Sequence, residues 1–437
     1  MDARPTLSFK EAKSLQFKVP KGTTDIVPDV AVKWQYLERK AVELFEKYGY
    51  KPIITPIFEH TEVFTRGIGS STDIVQKEMY TFEDKGKRSL TLRPEGTAPV
   101  IRSYVEQNMN QLPQPVKLYY TGPMFRYERP QAGRFRQFWQ IGVEAIGSDD
   151  PALDAESILL LVNYFKAVGL KELTLYINSM GCENDRPQYI ETLKAYAEAK
   201  RESLCNDCVK RVDLNPLRLF DCKNETCQAV MSDAPKLIDH LCESCRNHFD
   251  EVKHYLEMQC VNYVIKPELV RGLDYYTKTT FEIVSPLLGA QNAIGGGGRY
   301  NKLVEEFGGP STPGIGFALG TERLALAVEK EGAFDVDENT TEVFIAVADP
   351  AAKHAAVNIL YELRANDISA DIDYMDRSLK AQLKAANRRG VRYFVFLGSR
   401  ELEAGAVVVK DMEDGAQVEV KLNELVEHLT GLVGAAN

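Results

Sequence analysis

Residues 122–144 carry three polar side chains, Arg126, Gln140 and Glu144, whose types suit the binding of a charged ligand. Apolar and polar residues alternate on both sides of a turn that contains proline and glycine, and this pattern predicts an antiparallel hairpin. Because side chains alternate along a strand, Gln140 and Glu144 share one face, and we expect Arg126 beside them. Such a face suits a ligand with phosphate, amine and carboxylate groups. A solvated face with surface ion pairs is the simpler alternative.

Three other segments carry residues with similar chemistry. Glu95 follows a predicted strand and precedes a helix that Gly96 and Thr97 begin, so its carboxylate could bind an ammonium group or only interact favourably with the helix dipole. Residues 295–298 are four glycines, which let a ligand approach the backbone closely but are costly to order. Arg323 lies in the first turn of a predicted helix, where a cation opposes the dipole unless it faces a phosphate.

The eight cysteines predict reactive or metal-binding thiols rather than disulfides, because the chain has no sign of secretion. Residues 182–258 are predicted to be helical and contain three cysteine pairs, which are Cys205-x-x-Cys208, Cys222-x4-Cys227 and Cys242-x-x-Cys245. Two of these pairs could form one tetrahedral structural zinc site and leave two thiols spare. Reduced thiols without a metal are the alternative, and the sequence assigns no metal ligand by itself.

Composition limits the class of protein. Of the 437 residues, 44% are hydrophobic and 27% are charged, as in a soluble globular protein of two to four domains. The sequence has no apolar run of about 18 residues and no secretory signal, so we expect a cytoplasmic protein without a membrane partner. The net charge of −10 argues against non-specific coating of nucleic acid, but local basic patches could still bind RNA.

One such patch lies near the C-terminus. Between residues 377 and 392 the sequence has six basic residues and no acidic one. Lys380, Lys384 and Arg388 recur every fourth residue and form one face of a predicted helix, which favours contact with an RNA backbone over a merely solvated face. From residue 343 onward, strands alternate with helices, and this order predicts a mostly parallel sheet covered on both faces.

Residues 122–144 resemble the second signature motif of class II aminoacyl-tRNA synthetases, in the form found in the histidyl-tRNA synthetase family. Five further segments resemble the same family in chain order: KGTTD at 21–25, LRPEGT at 92–97, RGLDYY at 271–276, GGGRY at 296–300 and GIGFALGTERL at 314–324. Six ordered segments are far more specific than one glycine-rich run. The resemblance covers nearly the whole chain.

This resemblance implies an α+β catalytic domain built on an antiparallel sheet, with a helical insertion, followed by an α/β C-terminal domain. The catalytic domain would occupy residues 1–181 and 261–335, the cysteine-rich insertion residues 182–260, and an anticodon-binding domain residues 342–437. Pro52 and Pro56 place the predicted strand at residues 51–59 at a sheet edge or at a boundary between subunits. In the resembled family this region builds a homodimer interface, so a homodimer is implied as well.

The implied reaction is ATP-dependent activation of L-histidine to histidyl-adenylate, followed by transfer to the 3′ end of histidine tRNA, with Mg²⁺ accompanying ATP. Arg126 and Arg271 would be catalytic, and Arg126, Glu128 and Arg323 would bind ATP. The implied histidine-binding residues are Glu95, Gly96, Thr97, Gln140, Glu144, Tyr275 and Tyr276. Arg134, Lys380, Lys384 and Arg388 are expected to contact tRNA.

Neutral imidazole has one hydrogen-bond donor and one acceptor. Glu144 as the acceptor, with Tyr275 or Tyr276 as the donor, could therefore read both ring nitrogens, which leaves Gln140 and Glu95 for the amino group. Polar recognition of this kind rejects analogues by about 10⁴ to 10⁵, so no editing domain is expected.

Two alternatives belong to other functional classes. The first is a catalytically silent regulatory subunit of ATP phosphoribosyltransferase in histidine biosynthesis. Such relatives tend to lose the anticodon domain and several ATP-site residues, and this chain keeps both. The second, an RNA-binding module without chemistry, would leave Glu95, Glu144 and the glycine run unexplained.

Overall fold

The computed structural model describes residues 17–69, 72–131, 133–336 and 341–434. The chain forms two compact units, Met1–Phe334 and Asp335–Asn437. The outer ends of the first and last predicted domains lie outside the described residues, and the predicted domain limits stay predictions. No helix in the described part of the chain is both long and apolar enough to cross a membrane.

The first unit combines strands and helices. Its strands are β1 (Lys51–Pro52), β2 (Phe58–His60), β3 (Tyr80–Glu83), β4 (Ser89–Leu92), β5 (Val116–Phe125), β6 (Gln137–Ile146), β7 (Thr174–Ser179), β8 (Val264–Ile265), β9 (Thr277–Val284), β10 (Ala293–Arg299) and β11 (Gly314–Gly320). Its α-helices are α1 (Pro28–Lys47), α2 (Thr61–Gly67), α3 (Thr97–Glu106), α4 (Pro151–Ala167), α5 (Arg186–Glu198), α6 (Asn206–Leu214), α7 (Glu225–Ser232), α8 (Glu243–Met258), α9 (Leu303–Glu306) and α10 (Thr321–Glu331).

One large sheet organises this unit, with the strand order β1-β5-β6-β11-β10-β9-β7-β8. Its central pairs are antiparallel, and only the outer pairs β1–β5 and β7–β8 are parallel. The predicted hairpin is confirmed as β5 and β6, in which Gly122 lies opposite Gln140 and Leu118 opposite Glu144. Gly316 of β11 lies on the other side of Glu144. Gln140 and Glu144 therefore lie on one face of a central strand.

The predicted strand at residues 51–59 is instead two short strands in different sheets. β1 forms the edge of the large sheet, whereas β2 belongs to a separate sheet with the order β2-β4-β3. The two prolines explain the interruption, because a proline cannot donate a hydrogen bond to a strand ladder. The predicted edge position is confirmed for Pro52, which pairs with Tyr119 at the sheet margin.

A helical segment, α5 to α8, connects β7 to β8, and these two strands pair directly in the large sheet. Its apolar core is formed by residues of the segment itself. α8 contacts α4 through a hydrogen bond of 2.8 Å between His248 Nε2 and Asp154 Oδ2. Arg299 of β10 also donates to the buried Asp154, so this carboxylate of α4 is shared between α8 and the large sheet.

The second unit is an α/β domain. Its strands are β12 (Val343–Val347), β13 (Ala370–Ile372), β14 (Tyr393–Leu397), β15 (Ala406–Asp411) and β16 (Gln417–Lys421), and its helices are α11 (Lys353–Ala365), α12 (Leu379–Arg388), α13 (Ser399–Ala404) and α14 (Leu425–Gly434). The sheet order is β13-β12-β14-β15-β16.

The prediction of a mostly parallel sheet in this unit is wrong for its second half. β12 is parallel to β13 and β14, but β14–β15 and β15–β16 are antiparallel. The reason is connection length, because a crossover between parallel strands needs a dozen or more residues. The link between β14 and β15 spans only residues 398–405, and the link between β15 and β16 only residues 412–416.

Candidate active site

A cavity of about 260 Å³ lies against the central strands of the large sheet. Most of the residues that the sequence singled out line it: Glu95, Thr97, Arg126, Glu128, Arg134, Gln140, Arg271, Tyr275, Tyr276 and Arg323. Two do not. Gly96 and Glu144 lie directly behind the wall of the cavity, each with a steric or hydrogen-bonding role that the structure defines.

Glu95 lies at the start of α3 and is almost fully buried. Its two carboxylate oxygens accept backbone N–H groups of Thr97 at 2.7 Å and of Ala98 at 2.8 Å. Burial raises the pKa of this carboxyl, and the two amide donors oppose that shift. Glu95 thus accepts hydrogen bonds from N–H groups of the first helical turn, which have no partner within the helix, so its favourable interaction with the helix start is confirmed. It also lines the cavity.

Gly96 is required by its neighbour Tyr120. A Cβ on Gly96 would lie 2.2 Å from the Tyr120 ring, which no real side chain tolerates. The glycine therefore lets the ring pack between α3 and the sheet. Tyr120 in turn donates a long hydrogen bond of 3.4 Å to Glu144.

Glu144 is completely buried and accepts hydrogen bonds from surrounding hydroxyl groups. Thr97 donates to Oε1 at 2.7 Å, and Tyr300 donates to Oε2 at 2.6 Å. Burial raises the pKa of Glu144 to about 8, although these two hydroxyls act in the opposite direction. Gly316 leaves the space for this carboxylate, since a Cβ there would lie 2.0 Å from Oε2. Tyr300 also lines the cavity, and the sequence reasoning missed it, although it belongs to the segment GGGRY.

Gln140 faces the cavity with an unsatisfied acceptor. Its buried Oε1 atom has no hydrogen-bond partner within the described part of the chain. An orphaned buried carbonyl is costly unless a donor arrives. The position therefore fits a ligand that carries N–H groups.

Positive charge is concentrated at one end of the cavity. Arg126 Nε donates to the carbonyl of Pro94 at 2.9 Å, and its guanidinium lies 5.2 Å from the centre of the Phe138 ring. Arg323 Nε donates to the carbonyl of Gly133 at 3.0 Å. Burial and the nearby Arg134 lower the pKa of Arg323. Crowded guanidinium groups of this kind are typical of a site for a polyanion.

Arg271 is held by a partner that the sequence reasoning missed. Its Nη1 atom lies 2.5 Å from Oε2 of Glu282 on β9, whereas Asp274, the acid nearest in sequence, accepts a hydrogen bond from Asn215 at 2.9 Å. Burial is the largest single influence on the pKa of Arg271 and lowers it, but Glu282 acts together with Tyr276, Tyr275 and Asp221, and the net shift is upward. The alternation of residues 280–284 was the signal available for Glu282, because it places this carboxylate on the polar face of its strand.

The glycine run lies within the sheet. Residues 293–299 form strand β10 between β9 and β11, and Gly295 and Gly296 line the cavity. A Cβ on Gly296 would lie 3.0 Å from Nη1 of Arg271. The absence of a side chain at Gly296 therefore lets the Arg271 guanidinium lie close to the backbone of β10.

In the second unit, α12 presents Lys380, Lys384 and Arg388 to solvent, and none of the three forms an ion pair with a described residue. The opposite face of the helix is anchored by Gln382, which exchanges hydrogen bonds of 2.9 and 2.8 Å with the backbone of Val347. The structure thus gives the predicted basic face.

Two other basic residues of the patch are neutralised. Arg377 pairs with Asp373 at 2.5 Å, and Arg389 pairs with Asp371. Both acids lie just outside the window of residues 377–392, so the sequence count did not include them. The free positive charge of this region is therefore smaller than its sequence predicted.

The cysteine pairs combine differently from the simplest expectation. Cys205 and Cys208 meet Cys222 and Cys227, while Cys242 and Cys245 meet two residues from the start of the segment, Cys182 and Asp185. Two of the pairs thus come together in one group, as expected, but the third pair is not spare, because it lies beside Cys182 and Asp185. Sequence spacing gave no signal for the second group, because its two halves are about 60 residues apart.

Comparison with known proteins decides the family. Residues 22–324 match the family profile described as histidyl-tRNA synthetase, and residues 342–432 match the profile described as anticodon binding domain. The chain belongs to the histidyl-tRNA synthetase family. A histidine--tRNA ligase of Halothermothrix orenii is 53% identical over 419 residues, which are 96% of this chain and 100% of the relative. Another from Geobacillus thermodenitrificans is 51% identical over 418 residues, with coverage of 95% and 98%.

Solved structures agree on the fold. The crystal structure of apo S. aureus histidyl-tRNA synthetase has a TM-score of 0.81 and 42% identity and covers 95% of this chain and 100% of its own. The predicted fold class, the histidine--tRNA ligase function and the aminoacyl-tRNA synthetase class are confirmed. Members of this family use ATP and Mg²⁺ and act on histidine and tRNA.

The regulatory alternative is not favoured. A solved structure named as an ATP phosphoribosyltransferase regulatory subunit/histidyl-tRNA synthetase, from Bacillus halodurans C, has a TM-score of 0.64 at 21% identity. Identity at that level shows a shared fold alone. The relatives that are about 50% identical over nearly the full chain carry the ligase name.

Proposed function

We propose that the cavity binds L-histidine and ATP side by side and joins them as histidyl-adenylate, from which the histidyl group passes to tRNA. This proposal rests on one observation: the same cavity contains side chains that suit an anion and side chains that suit an ammonium group. Arg126, Arg271 and Arg323 line its positively charged end, where phosphates would bind, and Glu95 and Gln140 line it where an ammonium group would bind. No protein nucleophile is needed for such a reaction.

The amino group of histidine would lie between Glu95 and Gln140. The unsatisfied Oε1 of Gln140 lacks a donor in the described chain, and an ammonium group supplies one. Glu95 contributes negative charge, and Thr97 lies beside it at the cavity wall. Gly96 keeps this wall close to the sheet.

The imidazole ring would be read by Glu144 with Tyr275 or Tyr276. Each oxygen of Glu144 accepts a short bond from one hydroxyl, and a carboxylate oxygen can accept a further bond. Burial raises the pKa values of both tyrosines, so their hydroxyls remain protonated and can donate. The ring would then satisfy a site whose polar groups are otherwise costly to bury.

The phosphates would bind the three arginines. The histidine carboxylate attacks the α-phosphorus of ATP, a new C–O–P linkage forms, and pyrophosphate leaves. Because negative charge grows on the phosphoryl oxygens during this step, positioned guanidinium groups stabilise the transition state more than the substrates. We assign this role to Arg126 and Arg271, and the outer phosphates to Arg323 with Glu128 nearby. A ribose hydroxyl of tRNA then attacks the histidyl carbonyl carbon, and AMP leaves.

Mg²⁺ would neutralise part of the phosphate charge. The carboxylates of Glu128, Glu282 and Glu322 line the cavity, but no three acidic or other ligand side chains in the described ranges come together there. This donor set fits an ion held by the phosphates and one or two carboxylates rather than by a protein cage. No cysteine lines the cavity, so the thiols take no part in this reaction.

We also propose a homodimer that uses the surface around β1 and β2. Ile54 is 95% exposed, and Ile57, Phe58 and Phe82 are exposed nearby in sequence or in the same small sheet. Exposed apolar side chains grouped in this way are typical of a protein interface. In the resembled family this segment is where two subunits meet.

The wild-type protein should exchange radioactive pyrophosphate into ATP only when L-histidine is present. The exchange follows because adenylate formation is reversible and needs no tRNA. Other amino acids should support at most about 10⁻⁴ of this rate, since a polar site rejects ligands that leave its groups unpaired. Exchange that is absent, or equal with other amino acids, would contradict the proposed site.

The variant with Lys380→Ala, Lys384→Ala and Arg388→Ala should bind histidine tRNA more weakly and keep its rate of pyrophosphate exchange. Each lost phosphate contact lowers the log–log salt slope of binding by about 0.7 to 0.9, so the loss of three contacts should lower the slope by about 2 to 3. Binding measured across a salt series tests this.

A matched control removes the same charge elsewhere in the second unit, with Arg400→Ala, Lys410→Ala and Lys421→Ala. These residues lie outside α12, so the control should change the salt slope much less. Equal slopes for the two triple variants would show that the face of α12 is only solvated.

A further inference from the structure

The helical segment contains two groups of four potential metal ligands, neither of which lines the cavity. The first, the four-cysteine group, is Cys205, Cys208, Cys222 and Cys227. The second, the three-cysteine group, is Cys182, Asp185, Cys242 and Cys245. Within each group the ligand atoms all lie within 4.8 Å of one another. We propose that each group binds one zinc ion, so that the chain carries two structural zinc sites.

Sulfur spacing supports this assignment. In a tetrahedral site with Zn–S bonds of about 2.3 Å, neighbouring sulfurs lie about 3.8 Å apart. The Sγ atoms of Cys205 and Cys222 are 3.8 Å apart, and those of Cys182 and Cys242 are 3.9 Å apart. Bonded disulfide sulfurs would be about 2.05 Å apart, and all of these cysteines are free. The thiols are therefore spaced for a shared ion.

Local backbone structure places helix N-termini and N–H donors at the sulfur atoms. Cys205 and Cys242 are the N-cap residues of α6 and α8, where the positive end of the helix dipole lies beside the proposed metal ligands. Backbone N–H groups also point at sulfur: Cys205 donates to Cys227 at 3.2 Å, and Asn224 donates to Cys222 at 3.5 Å. Hydrogen bonds of this kind orient metal ligands.

In the three-cysteine group, Asp185 is fixed by the same residues that surround the site. Its Oδ2 atom accepts the backbone N–H of Cys182 at 2.9 Å, and its Oδ1 atom accepts that of Cys242 at 2.6 Å. Asn184 donates its N–H to the sulfur of Cys182 at 3.4 Å. A carboxylate oxygen is an accepted fourth ligand for zinc, and both oxygens keep spare acceptor capacity.

The position of the groups explains why a metal would help. α6 has nine residues and α7 has eight, whereas isolated helices shorter than about 12 residues are marginal in water. The four-cysteine group ties these helices together. The three-cysteine group joins the residues just after β7 to the start of α8 and so closes the base of the segment. Both metals would therefore supply folding free energy rather than chemistry.

The test is metal analysis of the full-length, untagged protein purified under reducing conditions without chelator. We expect two zinc ions per chain. The double variant Cys205→Ser with Cys222→Ser should keep one, and Cys182→Ser with Cys242→Ser should keep one. Cys260→Ser is the matched control, because Cys260 is exposed and lies in neither group, and it should keep two.

X-ray absorption at the zinc edge of the wild-type protein provides a readout that does not depend on the folding of variants. One four-sulfur and one three-sulfur site give about 3.5 sulfur neighbours per zinc. The proposal is overturned if the protein carries no zinc while its thiols react freely in the native state. It is also overturned if only one zinc binds, or if iron takes its place.

Discussion

The Arg271→Ala variant should exchange pyrophosphate about 10² to 10³ times more slowly than the wild type at saturating histidine and ATP. This loss equals about 3–4 kcal/mol, the usual effect of removing a donor whose interaction strengthens in the transition state. The KM for histidine should change much less, because Arg271 is assigned to the phosphate and not to the amino acid. Steady-state exchange kinetics measure both quantities.

Arg271→Lys should restore little of the rate, because an ammonium group cannot reproduce the planar fork of a guanidinium. The ion pair between Arg271 and Glu282, with 2.5 Å between Nη1 and Oε2, allows a control that separates a catalytic role of Arg271 from a structural one. If Arg271 only neutralises Glu282, then the double variant Arg271→Ala with Glu282→Gln removes the unpaired charge and should recover the wild-type rate. If Arg271 stabilises the transition state, the double variant stays slow. Recovery of the rate would contradict the catalytic assignment.

The hairpin of the catalytic unit could be predicted because its signal is local. Alternation along residues 116–146 determines which side chains share a face, and the structure pairs Gly122 with Gln140 as that pattern requires. The ordered motifs likewise predicted that Arg126, Arg271 and Arg323 belong to one site, and the structure places all three at one cavity although they are far apart in the chain. The first prediction depends on the alternation of side chains along a strand, and the second depends on the order of the motifs.

Contacts between distant side chains could not be predicted in the same way. The pairing of Arg271 with Glu282, and of Arg389 with Asp371, depends on strand register and helix orientation. Neither is visible in a residue count. The cysteines show the same limit, since Cys242 and Cys245 meet Cys182 across about 60 residues of intervening helical segment. The sequence also did not show how deeply each side chain is buried. Gln140 and Glu144 share one face of β6, but of these two only Gln140 lines the cavity.

Measured above pH 8, where Glu144 is ionised, Glu144→Gln should raise the KM for histidine about 10- to 200-fold, with a smaller effect on the KM for ATP. The reason is that a hydrogen bond to a charged group contributes about 1.5–3 kcal/mol, and the carboxamide cannot supply that charge. The variant should still fold, because the hydroxyls of Thr97 and Tyr300 can act as donors or acceptors towards an amide. Glu59→Gln is a matched control, since Glu59 is buried and paired with Arg102 outside the cavity, and it should leave this KM unchanged.

The pH dependence of histidine binding gives an independent measure of Glu144. Burial raises the pKa of this carboxyl to about 8, so in the free protein it is mostly protonated at pH 7 and ionised above pH 8. A carboxylate accepts the imidazole N–H more strongly than the neutral acid does. Histidine affinity should therefore rise with pH through about 8, beyond the rise near pH 6.5 caused by free imidazole itself, and should fall only at higher pH, where the amino group of histidine loses its proton. Glu144→Gln should lack the upper step. A wild-type affinity that instead passes through a maximum between pH 6.5 and 8 would mean that the ring and Glu144 share one proton, and Glu144 would not be a simple acceptor.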